Sequence, residues 1–284
     1  MSSYKVFVDL NGGGLGNILL MHHAGYALAK NMGGSLIIRH DYGCNKRINI
    51  NSYQPLFQHV KLGGIQEAIH ILEKPIQAYT EPSFMYNELP CVTNGSIILR
   101  GYFQSYKYFD SYRLEIRNQL ISNIQDKYNT LLQKHTTLHS SNSDTVCIHI
   151  RRGDYVELQH CHCILPISYY TKSMELLTQN ITKKSKSLRF IVFSDDLEYV
   201  KNIEPFNTLP NVYFEDEADS VKCLLLMSLC DHFIIANSSY SLNAYFLRQN
   251  EDALLCCPYK WFGPQGPQYK ISDIVPPNAN IINY

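Results

Sequence analysis

Two arginines in direct succession, Arg151 and Arg152, close the segment Thr145-Val-Cys-Ile-His-Ile-Arg-Arg-Gly-Asp-Tyr155. A guanidinium presents a planar fork that grips phosphate through two parallel hydrogen bonds, and it keeps its charge near neutral pH. Gly153 permits a sharp turn after the pair, and Asp154 can orient one of the guanidiniums. The combination points to a diphosphate site. Two exposed arginines in a loop, one held by a salt bridge, would explain the same residues without a ligand.

Position strengthens the first reading. Val146, Ile148 and Ile150 alternate with Cys147 and His149, so 145–150 reads as a strand with the arginines at its end. Ligands of open α/β sheets bind beyond the carboxyl ends of strands. Two other strands end in the same manner: 188–193 in Ser194-Asp195-Asp196, and 231–236 in Asn237-Ser238-Ser239. If the strands are parallel, all three polar ends share one sheet edge. Asn237-Ser238-Ser239 also opens a helix, where N–H groups and the helix dipole attract phosphate. Ser194 and Asp195 suit helix capping equally well.

These ends need a scaffold. Residues 4–10 read as a strand, 18–31 as a helix and 35–39 as a second strand, the β-α-β opening of a doubly wound sheet. Further strands are expected at 96–103, 212–214 and 253–257. Helices are expected at 109–134, 168–179, 220–230 and from 237 to about 249. Residues 43–95, with prolines at 55, 75, 82 and 90 and scattered Tyr and Asn, read as short helices and loops, and 262–284 reads as mostly irregular. The polar stretch 135–144 is the best linker candidate. The fold class is therefore α/β, two Rossmann-like domains facing a cleft, divided as 1–140 and 141–284.

Asn11-Gly12-Gly13-Gly14-Leu15-Gly16-Asn17 is neither a Walker loop nor a dinucleotide fingerprint, since no Gly-Lys-Ser/Thr follows and the glycine spacing is wrong. It allows close backbone approach to a ligand or to the other domain, or simply a tight turn. His22 and His23 are adjacent on the first helix and point to different faces, which argues against a two-histidine metal site. One of them packs in the core or faces the cleft.

The bulk numbers exclude several classes. Among 284 residues, Lys plus Arg is 25 and Asp plus Glu is 25, so no basic field draws in nucleic acid. Nine cysteines, several inside apolar runs, read as reduced thiols of a cytoplasmic protein rather than a disulfide framework. His160-Cys161-His162-Cys163 lacks a second ligand pair, so no metal is expected. No signal peptide is visible and no run reaches the roughly 18 apolar residues that span a bilayer. The expectation is a soluble protein, with peripheral membrane association left open.

With these residues on the page, the chain resembles the α-1,2-fucosyltransferases, glycosyltransferase family 11. His149-Ile-Arg151-Arg152-Gly-Asp154-Tyr155 is similar to that family's His-x-Arg-Arg-x-Asp. Gly13-Gly-Leu-Gly-Asn17, Gly101-Tyr-Phe-Gln-Ser105, Phe193-Ser-Asp-Asp196 and Leu226 to Ser239 match four more of its segments in order. The resemblance implies a GT-B fold, GDP-β-L-fucose as donor, transfer to a galactoside 2-hydroxyl with inversion, and no cofactor or metal. It implies donor binding in the second domain and glycan acceptor binding in the first. Arg151 would hold the β-phosphate, with Arg152 and Asp154 as buttresses. His149 would lie along the nucleoside, and Ser238 and Ser239 would hold phosphate. Gly14, Asn17 and His22 would face the cleft. The chain departs from the pattern at Ile18, at Leu242-Asn243, and at Cys223, where the family carries an Asp suited to guanine; Asp219 lies one helical turn earlier. Candidates for the catalytic base are Asp154, Glu157 and His22. The alternatives are a same-fold transferase using another nucleotide-sugar, and a non-catalytic binder of nucleotide-sugar or glycan.

Overall fold

The computed structural model describes residues 4–10, 12–39, 50–58, 60–63, 76–92, 95–134, 143–182 and 187–284. Asn11, Cys44 and residues 135–142 of the linker candidate lie outside that set. The chain forms two α/β units, Met1–Gln125 with Gln268–Ile274 and Asp126–Pro267 with Val275–Tyr284.

The division falls before the polar stretch near 140 for a physical reason. Helix Gln125–Lys134 is bonded into the second unit, Lys127 Nζ pairing with Asp219 at 3.4 Å and the Gln249 amide donating to the Tyr128 hydroxyl. Residues 268–274 return to the first unit through Asp273. Its carboxylate accepts the Tyr86 amide at 3.0 Å and pairs with Lys107 at 2.6 Å, and its carbonyl takes the Ser105 hydroxyl at 2.5 Å.

The first unit holds a parallel sheet of β1 (Lys5–Asp9), β2 (Ser35–Arg39), β3 (Lys61–Gly63), β4 (Ile76–Thr80) and β5 (Ser96–Arg100), in the order β3-β2-β1-β5-β4. β1, β2 and β5 fall where the apolar runs place them; the stretch read as short helices and loops holds the short turns at 50–57 but also the strands β3 and β4. Helix Leu15–Asn31 follows the glycine loop with Gly14 as its N-cap in extended conformation. The single helix expected over 109–134 is two helices, Arg113–Asn123 and Gln125–Lys134. The break is at Ile124, with φ −124° and ψ 24°, where the Asn123 side chain donates to the Leu56 carbonyl at 2.7 Å.

The second unit holds β6 (Ser143–Ile150), β7 (Ser187–Ser194), β8 (Val212–Glu215), β9 (His232–Ile234), β10 (Leu255–Pro258) and β11 (Asn280–Ile282), all paired parallel in the order β11-β10-β9-β6-β7-β8. Ser143 and Asp144, read as linker, start β6. β11 gives regular structure to a tail expected to be irregular, because Asn280 to Ile282 pair with Cys256 to Pro258. The order is that of a doubly wound dinucleotide fold, and its switch point lies between β6 and β9. Val146, Ile148, Val192 and Ile234 are wholly buried, packed with Tyr169 and Leu177 of helix Ile167–Thr182. Strands covered on both faces read as unbroken apolar runs, which is why β6 and β7 are plain in the sequence.

One buried charge organises the carboxyl edge of the first sheet. Asp9 is 0% exposed at the end of β1, level with Arg39 of β2 and Arg100 of β5. Its oxygens meet Arg39 Nε at 3.1 Å and Arg100 Nε at 3.0 Å. Removing one partner of a buried pair leaves an uncompensated charge, so Asp9→Ala should lower stability in urea by about 3–5 kcal/mol. Arg100→Ala should cost clearly less, since that side chain is 32% exposed against 7% for Arg39. Equal losses would show that the cost does not come from stranding Arg39.

Candidate active site

The parallel pairing brings the three polar strand ends to one edge. Ile150 lies opposite Ser194, and Ile148 opposite both Val192 and Ile234, so Arg151, Asp195 and the Asn237-Ser238 turn follow neighbouring strands. Arg151 and Ser238 flank the switch point between β6 and β9, where ligands of this topology sit.

Each charged group at the edge has a defined partner. Arg151 Nη1 meets Asp195 Oδ2 and Nη2 meets Asp154 Oδ1, both at 2.6 Å. The other oxygen of Asp195 accepts the Arg152 amide at 2.8 Å. The Arg152 guanidinium donates to Asp196 at 3.0 Å and lies 3.2 Å from the centre of the Tyr199 ring. Asp196 caps the short helix Leu197–Val200 by accepting the Tyr199 amide, and Ser194 Oγ accepts the Asp196 amide at 3.0 Å. Ser194 is thus a turn residue, and Arg152 is engaged with Asp196 and Tyr199. A Cβ on Gly153 would strike the Asp195 carboxylate, so this close approach requires glycine.

Across the switch point, Ser238 is the N-cap of helix Ser239–Phe246 and accepts the Tyr240 amide at 3.3 Å. Asn237 is 2% exposed, and its amide nitrogen donates to the carbonyls of Cys163 at 3.0 Å and Trp261 at 2.9 Å. Expected as a ligand contact, its side chain instead clamps two loops. Tyr155 completes the frame and was not singled out by the sequence reading. Its hydroxyl donates to the Asn237 carbonyl at 3.1 Å, its ring stacks on His162 at 4.3 Å, and the Arg151 guanidinium lies 5.3 Å above it. Burial pushes the Tyr155 hydroxyl up to about 12, so it stays a donor. The signal for it was an aromatic placed directly after Arg-Arg-Gly-Asp.

A cavity of about 160 Å³ opens beside both arginines, lined by Leu165, Tyr170, Val200, Ile203 and Phe206. Ligand pockets usually hold about 300 Å³ or more, so this apolar space is too small for a nucleotide.

Other expected residues fall elsewhere. His22 is 0% exposed, its ring 5.1 Å from Phe57 and its Nδ1 3.1 Å from that of His23, so it is a core residue of the first unit and presents nothing to an acceptor. Asn17 Oδ1 accepts from Gln104 at 3.0 Å, joining the glycine loop to the Gly101–Ser105 segment. Asp219 caps helix Ser220–Ser228 by accepting the Val221 and Lys222 amides, which leaves it a poor substitute at the Cys223 position. The Cys223 thiol is half-buried, pushed up to about 11 by burial, with the Tyr240 hydroxyl as a polar neighbour. Among the described residues no helix is long and apolar enough to cross a membrane.

His149 is 4% exposed next to Arg151, and its Nδ1 is buried without a hydrogen-bond partner. Burial, helped by the Arg151 charge, holds its imidazole down to about 3. A histidine of the unfolded chain protonates near about 6.5. Between those values the unfolded state binds a proton that the folded state refuses, so stability falls with pH by about 1.4 kcal/mol per unit. His149→Gln should remove that slope from urea-unfolding stability measured from about pH 6.5 downward. An unchanged slope would mean that the folded chain carries the ring charged.

The model of Glycosyl transferase family 11 matches residues 65–265, more than half of the chain. An Escherichia coli protein named O-antigen biosynthesis glycosyltransferase WbnK is 27% identical over 293 aligned positions, covering 88% of this chain and 93% of its own. An alpha-1,2-colitosyltransferase of Escherichia coli is 30% identical over 173 positions, 59% of this chain and 57% of its own. Among solved structures, the fucosyltransferase NodZ from Bradyrhizobium matches with a TM-score of 0.54 at 12% identity, covering 87% of this chain and 94% of NodZ. That likeness is one of fold, the GT-B type with two Rossmann-like units. The two parallel sheets, the paired arginines at the switch point and the extent of the family match make this chain a glycosyltransferase that belongs to glycosyl transferase family 11.

Proposed function

We propose that the chain transfers L-fucose from GDP-β-L-fucose to the 2-hydroxyl of a galactoside, with inversion at the anomeric carbon. The observation that carries this reading is Arg151, fixed by Asp195 at the switch point, at the end of the strand beside the one that leads into helix Ser239–Phe246. Breaking a sugar–phosphate bond develops charge on the departing diphosphate. A preorganised guanidinium and helix-terminal amides stabilise that charge in the role a divalent ion fills elsewhere. Asp154, 56% exposed, is the weaker of the two Arg151 partners and gives way to the phosphate, while Asp195, 25% exposed, keeps the guanidinium aimed. The unpaired Nδ1 of neutral His149 suits a hydroxyl donor of the nucleoside.

A second reading is a donor other than GDP-fucose. It is favoured by Cys223 and by the engagement of Asp219 as a helix cap, which together leave the expected guanine carboxylate without an obvious counterpart. The named colitosyltransferase among the relatives makes another deoxysugar nucleotide the natural comparison.

GDP, UDP, ADP and CMP at matched millimolar concentration should separate these readings. A ligand that binds only the folded state raises its melting temperature. GDP alone should give the shift, Arg151→Ala should abolish it, and the same change should cut kcat by about 100- to 1,000-fold. A larger shift with another nucleotide would replace the GDP reading.

A further inference from the structure

Phosphate binding by Arg151 leaves the cavity beside the two arginines without a role. Every residue that lines it belongs to the second unit. It lies between the start of helix Ile167–Thr182 and helix Leu197–Val200, at the edge where β6 and β7 end. Its walls differ in exposure. Leu165, Tyr170, Val200 and Phe206 are buried and form the floor. Arg151, Arg152 and the more exposed Tyr199 stand at the mouth.

The two ends differ in chemistry as well. The floor is hydrocarbon and aromatic ring. At the mouth the Arg151 guanidinium is held by Asp154 and Asp195, and the Arg152 guanidinium by Asp196 and the Tyr199 ring. Burial keeps the Tyr170 hydroxyl protonated, and the charges of Asp195 and Arg152 reach it, which sets that hydroxyl toward the charged end. Empty space in a close-packed interior forfeits the dispersion contacts of its lining unless a ligand supplies them. An apolar cavity of about 150 Å³ holds one benzene ring. The space of about 160 Å³ therefore takes a methyl group with the carbons next to it.

A ligand with an apolar end and a polar body suits both ends, and the donor read above has that form. Its β-phosphate belongs at Arg151, which also lines the cavity, and its sugar is joined to that phosphate through a single oxygen. L-fucose is a 6-deoxysugar: its C6 is a methyl, while C2, C3 and C4 carry hydroxyls. We propose that the cavity is the subsite for the methyl end of the donor sugar, with Leu165, Val200, Ile203 and Phe206 enclosing C6, and that it selects a 6-deoxysugar over its 6-hydroxy counterpart. The proposal rests on the donor reading above and names the part of the donor that this space reads. A 6-hydroxyl brought onto the floor exchanges water for hydrocarbon, which is unfavourable. The nucleoside diphosphate lies outside the cavity, so the lining governs which sugar is accepted and leaves the affinity for GDP alone.

GDP-L-galactose differs from GDP-L-fucose only by the hydroxyl on C6 and is the probe. With the full chain and a galactoside acceptor, kcat/KM for GDP-L-fucose should exceed that for GDP-L-galactose by about 10- to 100-fold, the range an apolar pocket achieves against an added hydroxyl. Ile203→Phe fills the cavity from its half-buried wall. It should lower kcat/KM for GDP-L-fucose by at least about 10-fold, while the rise in melting temperature with GDP stays as in the parent. Ile203→Ala widens the cavity and should bring the two donors within about 3-fold of each other. A parent that shifts with GDP and uses both donors alike overturns the proposal. So does an Ile203→Phe variant that keeps both the GDP shift and the parent's kcat/KM. Should that variant lose the GDP shift, the Ile203→Ala ratio decides, and a ratio equal to the parent's overturns the proposal. A parent with neither GDP shift nor transfer fails the donor reading itself and takes the proposal with it, an outcome distinct from equal use of the two donors.

Discussion

Asp195 is the residue on which the carboxyl edge of the second sheet depends. One oxygen holds the Arg152 amide and the other holds the Arg151 guanidinium, so one carboxylate beyond β7 fixes both backbone and side chain beyond β6. The parallel register makes this possible, since Ile150 opposite Ser194 brings the next residues of both strands together. A slip of one residue would turn every side chain of the strand to the other face and dissolve the arrangement. A guanidinium already held has less rotamer freedom to lose when a phosphate arrives, which is the energetic content of preorganisation.

Charge is handled in opposite ways at the two carboxyl edges. In the first unit an anion, Asp9, is buried between two cations, Arg39 and Arg100. In the second a cation, Arg151, is held between two anions, Asp154 and Asp195. The Asp9 cluster is largely shut off from water and acts as a fastener of three strand ends. The Arg151 cluster is partly open, so one of its carboxylates can be exchanged for a ligand's oxygen. Burial, rather than residue type, separates the closed ion cluster from the open one.

Legibility in the sequence follows the same physics. β6, β7 and β9 are covered on both faces, so their apolar runs and polar ends stand out, and with them Arg151, Asp195 and Ser238. β4 is an edge strand with mostly exposed residues, flanked by Pro75 and Pro82, and carries neither alternation nor an apolar run. The Glu81 carboxylate that follows it was not singled out, because its partners, the Tyr102 and Phe103 amides, come to it only in the fold. For His22 the sequence left core and cleft both open, and the structure places it in the core. Helix Leu15–Asn31 is buried on nearly all sides, so its histidines have no polar face to occupy. The break at Ile124 left no mark either, because apolar spacing continues across it.

The return of residues 268–274 makes the first unit discontinuous in sequence, with nearly the whole of the second unit inserted within it. Lys107 meets its partner only 166 residues later, at Asp273, and the Tyr86 amide only 187 residues later. A chain emerging from the ribosome therefore exposes an unfinished first unit, with the Lys107 charge and the Ser105 hydroxyl uncapped, until almost all of it has been made. Closing such a long loop is costly in chain entropy, so a folded insert that shortens the effective span makes the final step easier. The topology thus interleaves the two units: residues 268–274 complete the first, and β11, made after them, adds the edge strand of the second.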